Sequence, residues 1–300
     1  MRGPLVAAPA QPAFAMLDPM SDITLIILAG GLGSRYGGDK QVAAVGPAGE
    51  TLLEYTLHDA LASGIARAIA VVRPAIAERV RQVLDRVPGL DHALVDQPAH
   101  RAKPWGTAHA LACAAAAARG PVAVVNADDW YGPGAPARLA RMLDGGSQAC
   151  LVAHRLAATL SPHGAVNRGV CEVADGRLRS IRETTGLLPD GPDARTAAGR
   201  LAGDTPVSLN LWGFGTGFLP FLQREVDGFL AAHAGDPDGE IGIPDVVAAW
   251  VATGRPVDVD VCAEPWCGLT HAADRPQVVH RLAAATAEGA YASPLWKRSP

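Results

Sequence analysis

The sequence predicts an α/β protein built on a doubly wound, mainly parallel but mixed sheet. Three observations carry that prediction. Short apolar runs alternate with segments of helical periodicity through the first half of the chain, the pattern of strands joined by crossover helices. The first apolar run empties directly into a glycine-rich loop. In the second half, strand-like runs follow one another without full helices between them, which adds antiparallel pairing to the sheet.

Each element has a local reason. Residues 24–28 are a continuous apolar run, as a strand covered on both faces requires. Residues 51–63 carry Leu52, Leu53, Leu57, Ala60 and Leu61 at helical spacing, and Gly64 is a natural stop. A strand at 68–72 is followed by Pro74, which opens a helix to about residue 85. A short strand at 93–95, an alanine-rich helix at 107–118 and a strand at 122–125 complete the alternation, ending at Asn126-Ala-Asp-Asp129. Later strands are expected at 149–153, 170–173, 178–181, 207–214 and 257–261, and helices at 219–232, 244–253 and 276–287. The stretch 189–203 is polar and rich in Gly, Ala and Pro, and reads as a mobile loop. Residues 1–20 read as a disordered or misassigned extension, leaving a single domain over 21–300 with a nucleotide half to about 150 and an acceptor half beyond it.

Composition narrows the function classes. The chain of 300 residues has 26 Lys+Arg against 30 Asp+Glu, so no basic field favours nucleic acid or an anionic membrane. No apolar run approaches the roughly 18 residues of a membrane span. Five dispersed cysteines without a C-x-x-C pair argue against a disulfide scaffold or structural zinc, and with the rest predict a cytoplasmic location.

The loop Leu28-Ala-Gly-Gly-Leu-Gly-Ser-Arg35, followed by Lys40, is the most informative stretch. Glycines 30, 31 and 33 let backbone N–H groups turn toward phosphate oxygens, and Arg35 and Lys40 add positive charge. A Walker A loop fails, because Gly38 is followed by Asp39, Lys40 and Gln41. The dinucleotide fingerprint fails at Tyr36, where its third glycine belongs. The loop resembles the L-A-G-G-x-G-x-R signature of nucleotidyltransferases with a glycosyltransferase-A-like fold. Sugar-phosphate members place a proline before the lysine, whereas Gly38-Asp39-Lys40 is similar to the molybdenum-cofactor nucleotidyltransferases.

Other segments extend the resemblance. Gln97 with Trp105-Gly-Thr-Ala-His109 looks like the Q…G-T-G/A-H-A segment of uridylyltransferases, which implies that Gln97 meets the base edge and Gly106-Thr107 its face. Thr107 also stands where a helix N-cap would, and His109 reads as a packed histidine. Asp128 and Asp129 end a buried strand, where carboxylates need a cation or hydrogen bonds. The resemblance implies Mg²⁺ on Asp128, with Asp129 the alternative and Thr270 a neighbouring oxygen. Glu183 and Asn210 resemble acceptor-binding positions, although surface-strand salt bridging accounts equally for Glu183. Relatives carry W-x-D where this chain has Trp266-Cys-Gly268, so one carboxylate is missing or moved, with Glu264, Thr270 and Asp274 as candidates to replace it.

Together these imply transfer of a nucleotide from an NTP, UTP or dTTP preferred, to a sugar 1-phosphate or similar phosphorylated small molecule. Arg35, Lys40 and Asp128 would act on the phosphates, and Leu28, Ala29, Gly30, Gly31, Gly33, Ser34, Gln97, Gly106 and Thr107 would hold the nucleotide. Molybdenum-cofactor-type transfer and a catalytically silent nucleotide binder are the alternatives.

Overall fold

The computed structural model describes residues 22–31, 38–98 and 103–296. The extension at 1–20 and the loop residues Gly33, Ser34 and Arg35 lie outside that set. The chain runs β1 (Thr24–Leu28), α1 (Leu52–Ala62), β2 (Arg67–Val72), α2 (Pro74–Asp85), β3 (Asp91–Asp96), α3 (Thr107–Ala115), β4 (Val122–Asn126), β5 (Asp129–Trp130), α4 (Ala135–Asp144) and β6 (Ala149–Arg155). It continues β7 (Val166–Ala174), β8 (Arg177–Asp190), β9 (Asp193–Thr196), β10 (Gly199–Leu201), β11 (Pro206–Ser208), β12 (Trp212–Phe214), α5 (Leu219–Ala232), α6 (Ile243–Ala252), β13 (Asp258–Val261), β14 (Cys267–Gly268) and α7 (Arg275–Ala287).

The main sheet has the order β10-β9-β8-β7-β11-β6-β12-β4-β1-β2-β3, with β13 beside β6. Parallel pairing joins β3, β2, β1 and β4, and β6 to β13. The extension from β12 outward through β7–β10 is antiparallel. Alternation along β1 divides the core: Leu25 and Ile27 face the side covered by α1, α2 and α4, while Ile26 and Leu28 face α3, α5 and α6. Each fully buried Leu or Ile here contributes about 1.5–3 kcal/mol through removal from water.

Local chemistry sets the helix ends. Thr51 Oγ1 accepts from the Glu54 N–H at 3.2 Å while Glu54 Oε2 accepts from the Thr51 N–H at 2.8 Å, a reciprocal cap for α1. Pro74 occupies the first turn of α2, where its missing N–H costs nothing. The C-terminal segment then clasps the nucleotide half. Tyr291 Oη donates to Asp59 Oδ2 at 2.7 Å and accepts from Trp130 Nε1 at 2.8 Å, and the Leu295 N–H reaches Glu50 Oε1 at 3.0 Å.

Three expectations need correction. The supposed mobile loop at 189–203 is ordered as the end of β8 and the β9–β10 hairpin, because ladder hydrogen bonds hold a polar segment that lacks apolar alternation. The single strand expected at 207–214 is two, β11 and β12, broken at Asn210, whose φ of 64° is left-handed. Helix α4 was hidden by the loop-like Gly132-Pro-Gly-Ala-Pro136, although Leu139 and Leu143 keep helical spacing.

Candidate active site

The site forms where β1 and β4 end side by side, with Leu28 opposite Asn126. The glycine loop leaves the carboxyl end of β1 and the Asp128–Asp129 turn that of β4, the sheet edge at which such folds bind ligands. A cavity of about 170 Å³ lies there. Lys40, Asp128, Asp129, Arg168, Glu183, Asn210 and Thr270 all line it.

On the nucleotide side, Ala29 N–H donates to Val71 O at 2.9 Å, which seats the start of the glycine loop between β1 and β2. Gln41 is buried, and its Nε2 donates to Gly31 O at 2.8 Å, tying the loop's first turn to the turn that carries Lys40. Asp39 is held by Arg79 at 2.5 Å. Lys40 Nζ forms an ion pair with Asp128 Oδ2, both side chains being largely withdrawn from solvent.

Asp129 is the more buried of the two carboxylates. Its Oδ2 accepts from Asn126 Nδ2 at 2.7 Å, and its backbone carbonyl accepts from Thr56 Oγ1 at 2.9 Å. Burial first, and the charge of Asp128 second, hold Asp129 above the ordinary carboxylate range. Asn126 passes the network on, since its Oδ1 accepts from Asn210 Nδ2 at 3.2 Å. Tyr131, kept protonated by burial, donates to Leu209 O at 2.9 Å and receives the Asn126 N–H.

The departure at Gly268 has a steric reason. Gly268 pairs directly opposite Asp129 on β14, and a Cβ there would stand 2.2 Å from Asp129 Oδ1 and 2.6 Å from the Trp266 ring. Asp129 therefore fills the space a side chain at 268 would need. Asp274 does not replace the missing carboxylate: it accepts from the Thr270 and His271 N–H groups and from Ser161 Oγ, capping the turn before α7. Glu264 lies instead against Gly132 and Gly134, at the start of α4. Thr270 does line the cavity.

On the acceptor side, β7 and β8 present Arg168 opposite Thr184 and Gly169 opposite Glu183. Sequence reasoning passed over Arg168, which lies just ahead of the strand expected at 170–173 and inside the longer observed β7, and no local signal marked it. Its guanidinium donates to Thr159 Oγ1 at 3.1 Å and to Asn167 O at 2.8 Å, and lies 5.0 Å from the centre of the Trp266 ring. Glu183 is exposed to the cleft, whose walls desolvate its carboxylate and raise its pKa against the pull of Arg168. Asn210 is not in a strand interior as expected. Its left-handed backbone between β11 and β12 turns the amide toward Asn126.

Gln97, Gly106 and Thr107 meet behind the loop. Thr107 is the first residue of α3 rather than its cap, and its Oγ1 accepts from the Ile243 N–H at 3.0 Å. Gly106 caps α3 at φ 99°, ψ −179°, a conformation essentially reserved for glycine. A Cβ there would approach Ile241 O to 2.3 Å. Gly106→Ala is therefore expected to lower stability by about 2 kcal/mol or more, measured as a drop in the denaturation midpoint.

The described residues contain no cluster of three His, Cys, Asp or Glu side chains able to hold a metal. The carboxylates present could anchor a divalent cation only with water or phosphate oxygens completing its coordination. No described helix is long and apolar enough to cross a membrane.

Comparison with known proteins agrees with this architecture. Among solved structures, the inositol-1-phosphate CTP transferase of T. maritima superposes with a TM-score of 0.61 at 16% identity, covering 86% of this chain and 95% of that one. A protein of Bacillus anthracis named as a glucose-1-phosphate thymidylyltransferase gives 0.65 at 14% identity, covering 87% and 95%. At such identities the likeness is one of fold, the glycosyltransferase-A-like nucleotidyltransferase fold. The bifunctional protein GlmU of Corynebacterium jeikeium (strain K411) is 28% identical over 277 residues, 89% of this chain. The chain spans about half the length of that relative, 50%. The model of the MobA-like NTP transferase domain matches residues 25–185, from β1 through the loop, Lys40, Gln97 and the Asp128–Asp129 turn into β8. With more than half of its length matched and the cleft built on that segment, the chain belongs to the MobA-like NTP transferase family.

Proposed function

We propose that the chain transfers a nucleoside monophosphate from an NTP to a sugar 1-phosphate, or a similar phosphorylated small molecule, and releases pyrophosphate. The observation that carries this reading is one polar cleft in which Lys40, Asp128 and Asp129 face Arg168, Glu183, Asn210 and Thr270. Cationic and carboxylate groups for the reacting phosphates stand on one side, and groups suited to a polyol phosphate stand on the other.

In the reaction an oxygen of the acceptor phosphate attacks the α-phosphorus, and the bond from that phosphorus to the bridging β-oxygen breaks. Pyrophosphate leaves with the electron pair. A phosphomonoester is already largely dianionic at neutral pH, with a second pKa of about 6, so no protein nucleophile is required. The protein's share is alignment and charge neutralisation. The glycine loop with Ser34 and Arg35 holds the β- and γ-phosphates, while Lys40 serves the α-phosphate or the entering phosphate. Arg168, its guanidinium held by Thr159 and Asn167, places a fixed positive charge at the acceptor end, and Glu183 and Asn210 serve hydroxyls. Mg²⁺, held by Asp128 with Asp129 and Thr270 nearby, would supply further neutralisation of the phosphate charge.

A preference for UTP or dTTP follows from the resemblance around Gln97 and Gly106-Thr107. The two structural neighbours are named for cytidylyl and thymidylyl transfer, so the fold alone does not set the base. Molybdenum-cofactor-type transfer is the second reading, favoured by Gly38-Asp39-Lys40 and by the matched family model. A pyrophosphate-release screen of the common NTPs against sugar phosphates, alkyl phosphates and molybdopterin tests both. Turnover with sugar phosphates supports the first reading, turnover with molybdopterin alone transfers the assignment to the second, and NTP binding without release marks a silent relative.

Because Asp128 already carries Lys40 and Asp129 is engaged by Asn126, free Mg²⁺ is expected to bind weakly and to arrive with the triphosphate. Isothermal titration checks this: tight stoichiometric Mg²⁺ binding without nucleotide would contradict it.

A further inference from the structure

The turn that opens α3 and the start of α6 are joined at close range. The Ile241 N–H donates to Trp105 O at 2.9 Å, and the Ala108 N–H to Ile241 O at 3.1 Å. Gly106 lets the two segments approach, since a Cβ there would come within 2.3 Å of Ile241 O. Beyond Gly242 the contact passes to a side chain. Thr107 Oγ1 accepts from the N–H of Ile243, the first residue of α6, at 3.0 Å. A helix cannot satisfy its own first N–H groups. Gly242 stands at the cap position without a side chain, and its own N–H donates to Asp245 Oδ2 at 2.7 Å, a bond that ties α6 to nothing outside itself. Thr107 therefore supplies the acceptor from another helix.

What this bond holds is a wall of the cleft. Pro244, next after Ile243, lines the cleft together with Glu183 and Asn210. Asp245 follows it, and after burial its charge adds to the rise in the Glu183 pKa. Farther along α6, Val246, Val247 and Trp250 pack with Leu178 and Ile181 of β8, which sets the helix axis. The backbone bonds at Ile241 stop short of the helix, because Gly242, with no Cβ, can rotate between them and Ile243. The Thr107 hydroxyl crosses from α3 to the first turn of α6 itself. Ile243 is buried, so without that hydroxyl its N–H is left unpaired and the turn must shift to find an acceptor.

We propose that Thr107 is a positioning residue for the acceptor: its hydroxyl sets the first turn of α6 and with it the Pro244 wall of the pocket that holds Glu183. Thr107 thus acts on acceptor affinity through α6, whereas a threonine side chain turned to a base would act on the nucleotide. The segment that resemblance assigns to the nucleotide is in this way also the abutment of the acceptor pocket. The inference rests on the nucleotidyl-transfer reading, but not on which base is used.

The test follows pyrophosphate release and obtains separate KM values for the NTP (UTP, dTTP, CTP, GTP or ATP, whichever is turned over fastest) and for the acceptor. Glucose 1-phosphate, N-acetylglucosamine 1-phosphate and inositol 1-phosphate serve as acceptor probes. The proteins are the wild type, Thr107→Val, Thr107→Ser, Pro244→Ala and the double variant Thr107→Val/Pro244→Ala. Thr107→Val should raise the acceptor KM by about tenfold, the effect of one lost hydrogen bond that leaves a buried donor behind, with the NTP KM unchanged. Thr107→Ser keeps the hydroxyl and should retain the wild-type acceptor KM. Pro244→Ala should raise the acceptor KM alone. The double variant should show less than the product of the single effects, because both act through one wall. A full product would place the Thr107 hydroxyl on the substrate itself and overturn the proposal. So would a Thr107→Val whose NTP KM rises instead, or whose acceptor KM stays the same. Should Thr107→Val not fold, Pro244→Ala decides: a raised acceptor KM supports the proposal and an unchanged one overturns it. A wild type that releases no pyrophosphate with any of these acceptors overturns the sugar-phosphate reading, and this inference with it; a working wild type with unmoved variants defeats this inference alone.

Discussion

Lys40→Ala is expected to lower turnover by about 10²–10³-fold, the usual effect of deleting one electrostatic group that acts on the charge of a transition state. The side chain reaches the cleft from a short turn that Gln41 and the Asp39–Arg79 pair hold in place. Its removal leaves that turn intact. From sequence alone Lys40 looks like an exposed loop lysine with no bearing on stability; its pairing with Asp128 revises this. Leaving Asp128 uncompensated beside Asp129 should cost about 1 kcal/mol, at the upper end for a pair still in contact with solvent. A steady-state assay alongside a thermal melt separates the two effects. Near-wild-type pyrophosphate release would remove Lys40 from the mechanism.

Asp128→Asn should be at least as damaging, because the amide keeps the shape but loses the charge that draws both Lys40 and a divalent cation. Asp129→Asn should be milder, below about tenfold. Asp129 is already driven toward its neutral form by burial, and one of its oxygens is taken by Asn126. The reverse ranking would make Asp129 the working carboxylate. The double variant Lys40→Ala/Asp128→Asn adds a discriminating measurement. If Lys40 acts only by orienting Asp128, the double loss equals the larger single loss; if each acts on the phosphates directly, the losses approach their product.

Much of the fold was legible because it is built from local signals. The apolar run of β1, the capped helix after Thr51 and the proline-opened α2 announce themselves within a few residues. The antiparallel extension was less so. Strand β8 is mostly exposed along its length and exists because β7 and β9 pair with it across the short turns Asp175-Gly176 and Gly191-Pro192, a cause that apolar patterning does not register. The residues gathered in the cleft divide the same way. Lys40, Asp128 and Asp129 stood in recognisable strings, and Glu183, Asn210 and Thr270 were found by softer likeness. Arg168 was missed because its environment, Thr159, Asn167 and the Trp266 ring, is assembled from three separate segments. The absence of a side chain at 268 could be noted in the sequence but not explained, since its cause is Asp129 on the facing strand.

The pairing of β14 with β5 also orders events in time. A ribosome delivers the strands β1 to β4 early, and their parallel contacts can assemble while the rest of the chain is still being made. The turn bearing Asp128 and Asp129 gains its opposing strand only when residues 267–268 emerge, and the Tyr291 clasp on Trp130 and Asp59 comes later still. The strands that carry the glycine loop are therefore all synthesised before the strand that backs the Asp128–Asp129 turn.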